Sequence, residues 1–225
     1  MQRRTLVIAA ASLAAGCTAR APLAESAGST ADPASDAPEP GRTTRALADA
    51  PASYAEALQR WKGAAEVNTW IGARFEYDLQ RAMQLSETQR SRSARMPIHE
   101  PAAFFANPRG VCVDLSRFAV ETLRAVDPAS RPGYVMIEFN PIAIRGNTLR
   151  RHWVASFQRD GQTWFFADSK RPGHIAGPYA DTQAFMAEYA QYRGREIVAF
   201  KEMDGHERKL RSASSAKDRD TDSPQ

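Results

Sequence analysis

An α+β domain, in which a helix packs on an antiparallel sheet, is what the order of periodicities along this chain predicts. Three observations carry the prediction. Apolar residues recur at helical spacing in the first half of the domain, β-branched and aromatic runs follow from Tyr134 onward, and Arg159-Asp160-Gly161-Gln162 has the turn chemistry that joins two of those runs as a hairpin. Helices grouped before strands, instead of alternating with them, favour α+β over a parallel α/β sheet. At 225 residues the chain is long enough for one core plus extensions.

The chain opens with Gln2-Arg3-Arg4 and an apolar run from Leu6 to Ala15 that is too short to span a bilayer, so residues 1–16 read as a secretory signal. The end of that signal, Leu13-Ala14-Ala15-Gly16-Cys17, is similar to the bacterial lipoprotein box, which implies cleavage before Cys17 and lipidation of its thiol and new amino group. The leucine stands four residues before Cys17 where three is usual, and an ordinary signal peptide with an incidental cysteine is the alternative. Each buried methylene of a lipid anchor adds about 0.8 kcal/mol, so several chains hold firmly to a membrane. By resemblance to Gram-negative lipoproteins, Thr18 in place of an aspartate implies the outer membrane. Removing Arg3 and Arg4 with the signal lowers the formal charge from +4 to +2. With Lys and Arg interspersed among Asp and Glu and no aromatic-basic ladder, no nucleic-acid partner is expected.

Residues 17–53 are rich in Ala, Pro, Ser and Thr, with Pro22, Pro33, Pro38, Pro40 and Pro51, and read as a lipidated, disordered tether. The folded domain is expected over 54–204, followed by a polar, disordered tail over 205–225. Within the domain, Leu58, Trp61, Ala65 and Ile71 predict one helix from Tyr54 to Phe75, and Phe75-Glu76-Tyr77-Asp78 predicts a short extended or turn segment. From Leu79 to Glu100 the chain is polar, with the run Arg90-Ser91-Arg92-Ser93-Ala94-Arg95, and a mobile loop is expected. A short helix from Pro101 to Asn107 is broken by Pro108-Arg109-Gly110. A helix beginning near Cys112 then places Leu115, Phe118, Ala119, Leu123 and Val126 on one face and Arg117, Glu121 and Arg124 largely on the other, until Asp127-Pro128 ends it. Strands are predicted from Tyr134 to Phe139, His152 to Phe157, Thr163 to Ala167 and Ile197 to Phe200, with a helix from Ala184 to Tyr192.

The chain has two cysteines. If lipidation takes Cys17, Cys112 is left as a single thiol in an oxidising compartment, and such a thiol is either buried and inert or functional. A helix N-terminus lowers a thiol pKa, and the first-turn amides, that of Cys112 included, can face a developing oxyanion. Gly110 lets the backbone turn tightly and approach a substrate, and Asp114 suits a capping role in the first turn. His152 begins a strand and Asp168 ends the next. A turn about Asp160-Gly161 sets His152 opposite Ser169 and Trp153 opposite Asp168, so strict pairing leaves imidazole and carboxylate on opposite faces and a bulge or one-residue shift is required. With that shift, Cys112 is placed to attack a carbonyl, His152 to take and return the proton, and Asp168 to orient the ring.

The segments Gly110-Val111-Cys112-Val113-Asp114, His152-Trp153-Val154 and Phe165-Phe166-Ala167-Asp168, with Val67-Asn68-Thr69-Trp70 and Phe75-Glu76-Tyr77-Asp78 upstream, resemble the transglutaminase-like superfamily of papain-like folds, especially the bacterial transglutaminase-like cysteine proteases. The resemblance runs from about Tyr54 to Phe200. It implies a Cys112, His152 and Asp168 triad acting on a protein or peptide substrate, and a second oxyanion donor at Tyr77 or Asn107. Val111 and Val113 stand where protease-branch members often carry acidic, calcium-binding residues, so neither a cofactor nor a metal is expected. The chain is expected to be a monomer whose membrane contact is the lipid anchor.

Three other readings are open at this stage. The acyl-thioester could pass to an amine, giving a cross-linking acyltransferase; the fold could hold peptides without catalysis; or Cys112 and His152 could bind a metal with His99 or His174, although no closely spaced ligand pair exists. Arg90 to Arg95 and Arg150-Arg151 suit either an acidic substrate or an ordinary solvated surface.

Overall fold

The computed structural model describes residues 35–90 and 96–206. The signal segment, Cys17, the upstream part of the tether and residues 207–225 of the tail lie outside the described residues. In place of one helix from Tyr54 to Phe75 there are two, α1 (Tyr54–Arg60) and α2 (Ala64–Arg74). The break spans Trp61 to Gly63: the extended backbone of Trp61 (φ −72°, ψ 145°) ends α1, and Gly63 stands at the N-cap of α2. It lets Trp61 fold back against Trp70 and Phe118, at ring separations of 6.1 and 6.4 Å.

Strand β1 (Glu76–Tyr77) follows, as expected. The segment expected to be a mobile loop instead holds α3 (Leu79–Gln84) and α4 (Glu87–Arg90). Asp78 caps α3 by accepting from the Arg81 amide at 2.9 Å. Thr88 and Glu87 tie α4 to the sheet through the Thr148 amide (2.9 Å) and Arg150 (3.3 Å). Beyond residues 91–95, which are not described, the Pro97 and Ile98 carbonyls accept from Arg81 and Arg117. Polar composition concealed this order because the partners are distant in sequence.

Helix α5 (Pro101–Ala106) leads to β2 (Arg109–Gly110), which pairs in parallel with β1 and sets the chain at the start of α6 (Cys112–Val126). The apolar face predicted for α6 is buried: Leu115, Phe118, Ala119 and Leu123 are fully covered. Each large side chain so removed from water contributes about 1.5–3 kcal/mol.

The sheet comprises β3 (Gly133–Ile144), β4 (Asn147–Arg159), β5 (Gln162–Phe166), β6 (Ala176–Tyr179) and, after α7 (Thr182–Arg193), β7 (Ile197–Met203). It is antiparallel throughout, in the order β6-β5-β4-β3-β7. Helix α6 covers one face through a core that includes Trp70, Phe104, Trp153 and Ala155, and α7 covers the other through Phe139, Val154, Phe165 and Tyr189. The α+β prediction therefore holds, with the cysteine-bearing helix on an antiparallel sheet. No helix among the described residues is long and apolar enough to cross a membrane.

The tether departs from expectation. From Ser35 onward it lies against the domain, with Ser35 and Asp36 buried. Arg42 donates to the Phe75 and Gly72 carbonyls at 2.7 and 2.6 Å, satisfying the open C-terminal end of α2.

Candidate active site

Cys112 is the first residue of α6 and is 7% exposed. The loop beneath it is held by Asp114, which is completely buried. Its Oδ2 accepts from the Val111 amide (3.0 Å) and Arg81 Nε (2.8 Å), and its Oδ1 from the His99 amide (2.9 Å) and Arg81 Nη2 (2.7 Å). The capping role expected of Asp114 is thus joined by a buried ion pair. Gly110 makes room for this carboxylate. A Cβ there would lie 3.0 Å from Asp114 and 3.1 Å from Phe104.

His152 lies on β4 with no exposed surface, stacked on Tyr189 at 5.9 Å and 24°. The hairpin pairs Arg159 with Gln162 and Ala155 with Phe166, the register expected from a turn at Asp160-Gly161, both of which take positive φ. Pairing stops at Phe166. Ala167 adopts φ 56°, left-handed backbone that a non-glycine residue rarely takes, and this reverses the direction of the next side chain. Asp168 Oδ1 thereby reaches His152 Nε2 at 3.1 Å. The irregularity that the register demanded is this single residue. The turn that follows rests on α2, where Gly72 and Gly173 approach so closely that a Cβ on either would meet the other's Cα within 2.8 Å.

Three functional neighbours have no counterpart in the sequence reading. Asp36 Oδ1 stands 3.1 Å from His152 Nδ1 in ion-pair contact, and among the described residues that nitrogen has no well-aligned hydrogen-bond partner. Arg193 Nη2 binds Asp36 Oδ1 at 2.7 Å, and its Nη1 donates to the Tyr189 hydroxyl, which is 3.0 Å from His152 Nε2. Asp36 gave no local signal, since it sits in a low-complexity stretch. Arg193 did give one: Phe185, Tyr189 and Arg193 recur at four-residue spacing, so a guanidinium falls on the buried stripe of α7.

Donor atoms of Asp36, Cys112 and His152 all lie within 4.8 Å of one another. Cys112 is thus brought beside His152, and Asp168 lies across the ring. The third member of that donor set, which could meet at one divalent cation, is Asp36; neither His99 nor His174 belongs to it. A cleft over the thiol is lined by Asp36, Tyr77, Val111, Arg151 and Trp153 among others. Of the two oxyanion candidates, Tyr77 lines this cleft, and Asn107 is exposed at the end of α5 outside it. Arg151 pairs with Glu138 at 3.1 Å and Arg150 with Glu87 at 3.3 Å, and both arginines line the cleft.

Electrostatics separate the groups. Burial by itself would lower the His152 pKa, but Tyr189, Asp36 and Asp168 outweigh it and hold the ring as imidazolium well above its usual range. Because burial pushes the Tyr189 phenol up and keeps it neutral, the two carboxylates supply the negative charge. Burial would raise both carboxyls, yet His152 with Arg193 holds Asp36, and His152 with Arg193 and Arg171 holds Asp168, below the usual carboxylate range. The Cys112 thiol moves the other way from expectation. Burial pushes it up and outweighs the neighbouring His152, with Asp36 adding to the rise.

A helix-borne thiol beside a histidine on β4 and an aspartate just past the end of β5 defines a class, an α+β domain with a Cys, His and Asp cluster in its cleft. No protein-family model matches the chain, and no curated protein does. Among solved structures the chain is similar to LapG of Legionella pneumophila in its calcium-bound form, with 17% identity over 68% of this chain and 72% of that one and a TM-score of 0.35.

Proposed function

We propose that the chain is a thiol hydrolase that cleaves peptide or amide bonds of a protein substrate through an acyl-thioester on Cys112. The observation that carries the reading is the His152 ring, fixed by Asp168 on Nε2 and leaving Nδ1 as the nitrogen that carries the proton for the leaving amine. The thiol proton leaves to solvent, the thiolate beside the His152 imidazolium attacks the carbonyl to form a tetrahedral oxyanion next to Tyr77 and the Cys112 amide, and the imidazolium gives its proton to the leaving amine as the C–N bond breaks. Water, deprotonated by the now neutral histidine, then attacks the thioester, releasing the acid and regenerating the thiolate and the imidazolium. Lipidation of Cys17 would hold this chemistry at the periplasmic face of the outer membrane, with the chain acting as a monomer.

Mass spectrometry of a glutamine-containing peptide incubated with the chain and an added amine tests the reading. Backbone fragments are expected; amine adducts on an intact peptide would instead indicate a cross-linking transferase. Cys112→Ala should abolish product while the circular dichroism spectrum is unchanged. Loss of the fold in that variant would favour a structural cysteine. A diacylglyceryl group on the N-terminal peptide is expected, and its absence would refute the anchor.

A further inference from the structure

We propose that residues 35–45 form an intramolecular strap that keeps this site at rest, with the Asp36 side chain seated over Cys112 and His152 as a displaceable occupant of the cleft. The inference rests on the reading of Cys112 as the nucleophile.

The location comes first. Asp36 lines the same cleft as Cys112 and Tyr77, so a substrate carbonyl and the Asp36 carboxylate compete for one space. The means of attachment come second. Among residues 35–45 only Ser35 and Asp36 are buried, and the clasps are polar: Arg193 on Asp36 (2.7 Å), Ser169 Oγ on the Asp36 carbonyl (2.8 Å), Lys170 on Glu39 (3.2 Å), and Arg42 on carbonyls of α2. A segment without secondary structure that buries little apolar surface lies at the low-stability end of a fold.

The third point is chemical. Asp168 already orients the ring from Nε2, so a second carboxylate is not needed for positioning. It sits instead at Nδ1, the nitrogen that must serve the thiol, and with the strap in place that nitrogen has no well-aligned hydrogen-bond partner among the described residues. One imidazolium charge flanked by two carboxylates has little attraction left for a thiolate. Withdrawal of Asp36 removes one anion from beside the sulfur, and the thiolate can take its place.

The test is the rate at which iodoacetamide labels the Cys112 peptide of the full-length chain near neutral pH, read by mass. If the strap-free fraction sets reactivity, Asp36→Ala and the isosteric Asp36→Asn should each label about tenfold faster or more than wild type. Arg42→Ala, which touches nothing in the cleft, should give a smaller gain in the same direction. An unchanged or slower rate in a folded Asp36→Asn variant would overturn the proposal by making Asp36 a permanent part of the centre. If Asp36 variants fail to fold, no gain in Arg42→Ala overturns it equally. Chelator treatment that brings wild type up to the variant rate would also overturn it, because a cation held by Asp36, Cys112 and His152 would then be the mask. Faster labelling without peptide cleavage would uphold the strap and sink the hydrolase, whereas cleavage with no labelling gain would do the reverse.

Discussion

Two buried charge clusters flank the first turn of α6, and they are built on opposite principles. Behind Cys112, the carboxylate of Asp114 is met by one guanidinium and two backbone amides, with both oxygens engaged and one unit of charge of each sign. In front of it, Asp36, Asp168, His152, Arg193 and Tyr189 form a network in which two carboxylates and two cations share contacts and His152 Nδ1 has no well-aligned hydrogen-bond partner among the described residues. A fully satisfied cluster fixes one geometry, and a cluster with an open valence can change state. The first holds the helix start in place, and the second is where protons can move.

The largest effect should come from the front cluster. Asp168→Asn keeps the shape but removes the charge that fixes the ring, and kcat/KM for peptide cleavage is expected to fall by about 10⁴, as for loss of the orienting acid in other triads. A loss below tenfold would transfer the orienting role to Asp36. The rear cluster should answer in stability instead. Asp114→Ala strands Arg81, whose side chain is 11% exposed, and should cost about 3–5 kcal/mol in urea unfolding. Equal losses of stability from Asp168→Asn would erase the distinction between the clusters.

Tyr77→Phe should lower kcat about 10²-fold with little change in stability if its hydroxyl faces the oxyanion; an unaltered kcat leaves the backbone amide of Cys112 as the donor. The smallest effect is in the pH profile. His152 has a raised pKa in the fold, so its contribution to stability is complete below its unfolded value of about 6.5 and is lost as pH rises through the folded value. Asp36 and Asp168 have depressed pKa values, so theirs is complete above about 3.9 and is lost as pH falls through the folded values. The difference in Tm between wild type and His152→Gln should therefore be flat between those limits and shrink at alkaline pH. A difference that grows with pH would contradict the imidazolium assignment.

Local pattern made much of the architecture readable. The stripe on α6, the hairpin about Asp160-Gly161 and its register follow from spacing alone, because burial of one face and a two-residue turn are local constraints. The same reasoning showed that Asp168 could not reach His152 by regular pairing, but not that the cure would be a left-handed Ala167, a conformation no local preference of alanine favours. The break at Gly63 and the helices α3 and α4 were missed for the opposite reason. Weak local signals there are overridden by distant partners such as Asn147, Thr148 and Arg150.

By itself, then, the amino-acid sequence determined the α+β class, the helix that starts at Cys112, the strand that carries His152 and the one that ends just before Asp168, since each is written in a periodicity of two or 3.6 residues. Tertiary structure alone decided the protonation landscape. Burial raises the Cys112 thiol where the helix terminus suggested lowering, and Asp36 arrives at His152 from 116 positions away in sequence. Such effects depend on which charges are brought together in a region from which water is excluded, and a one-dimensional pattern holds no record of that proximity.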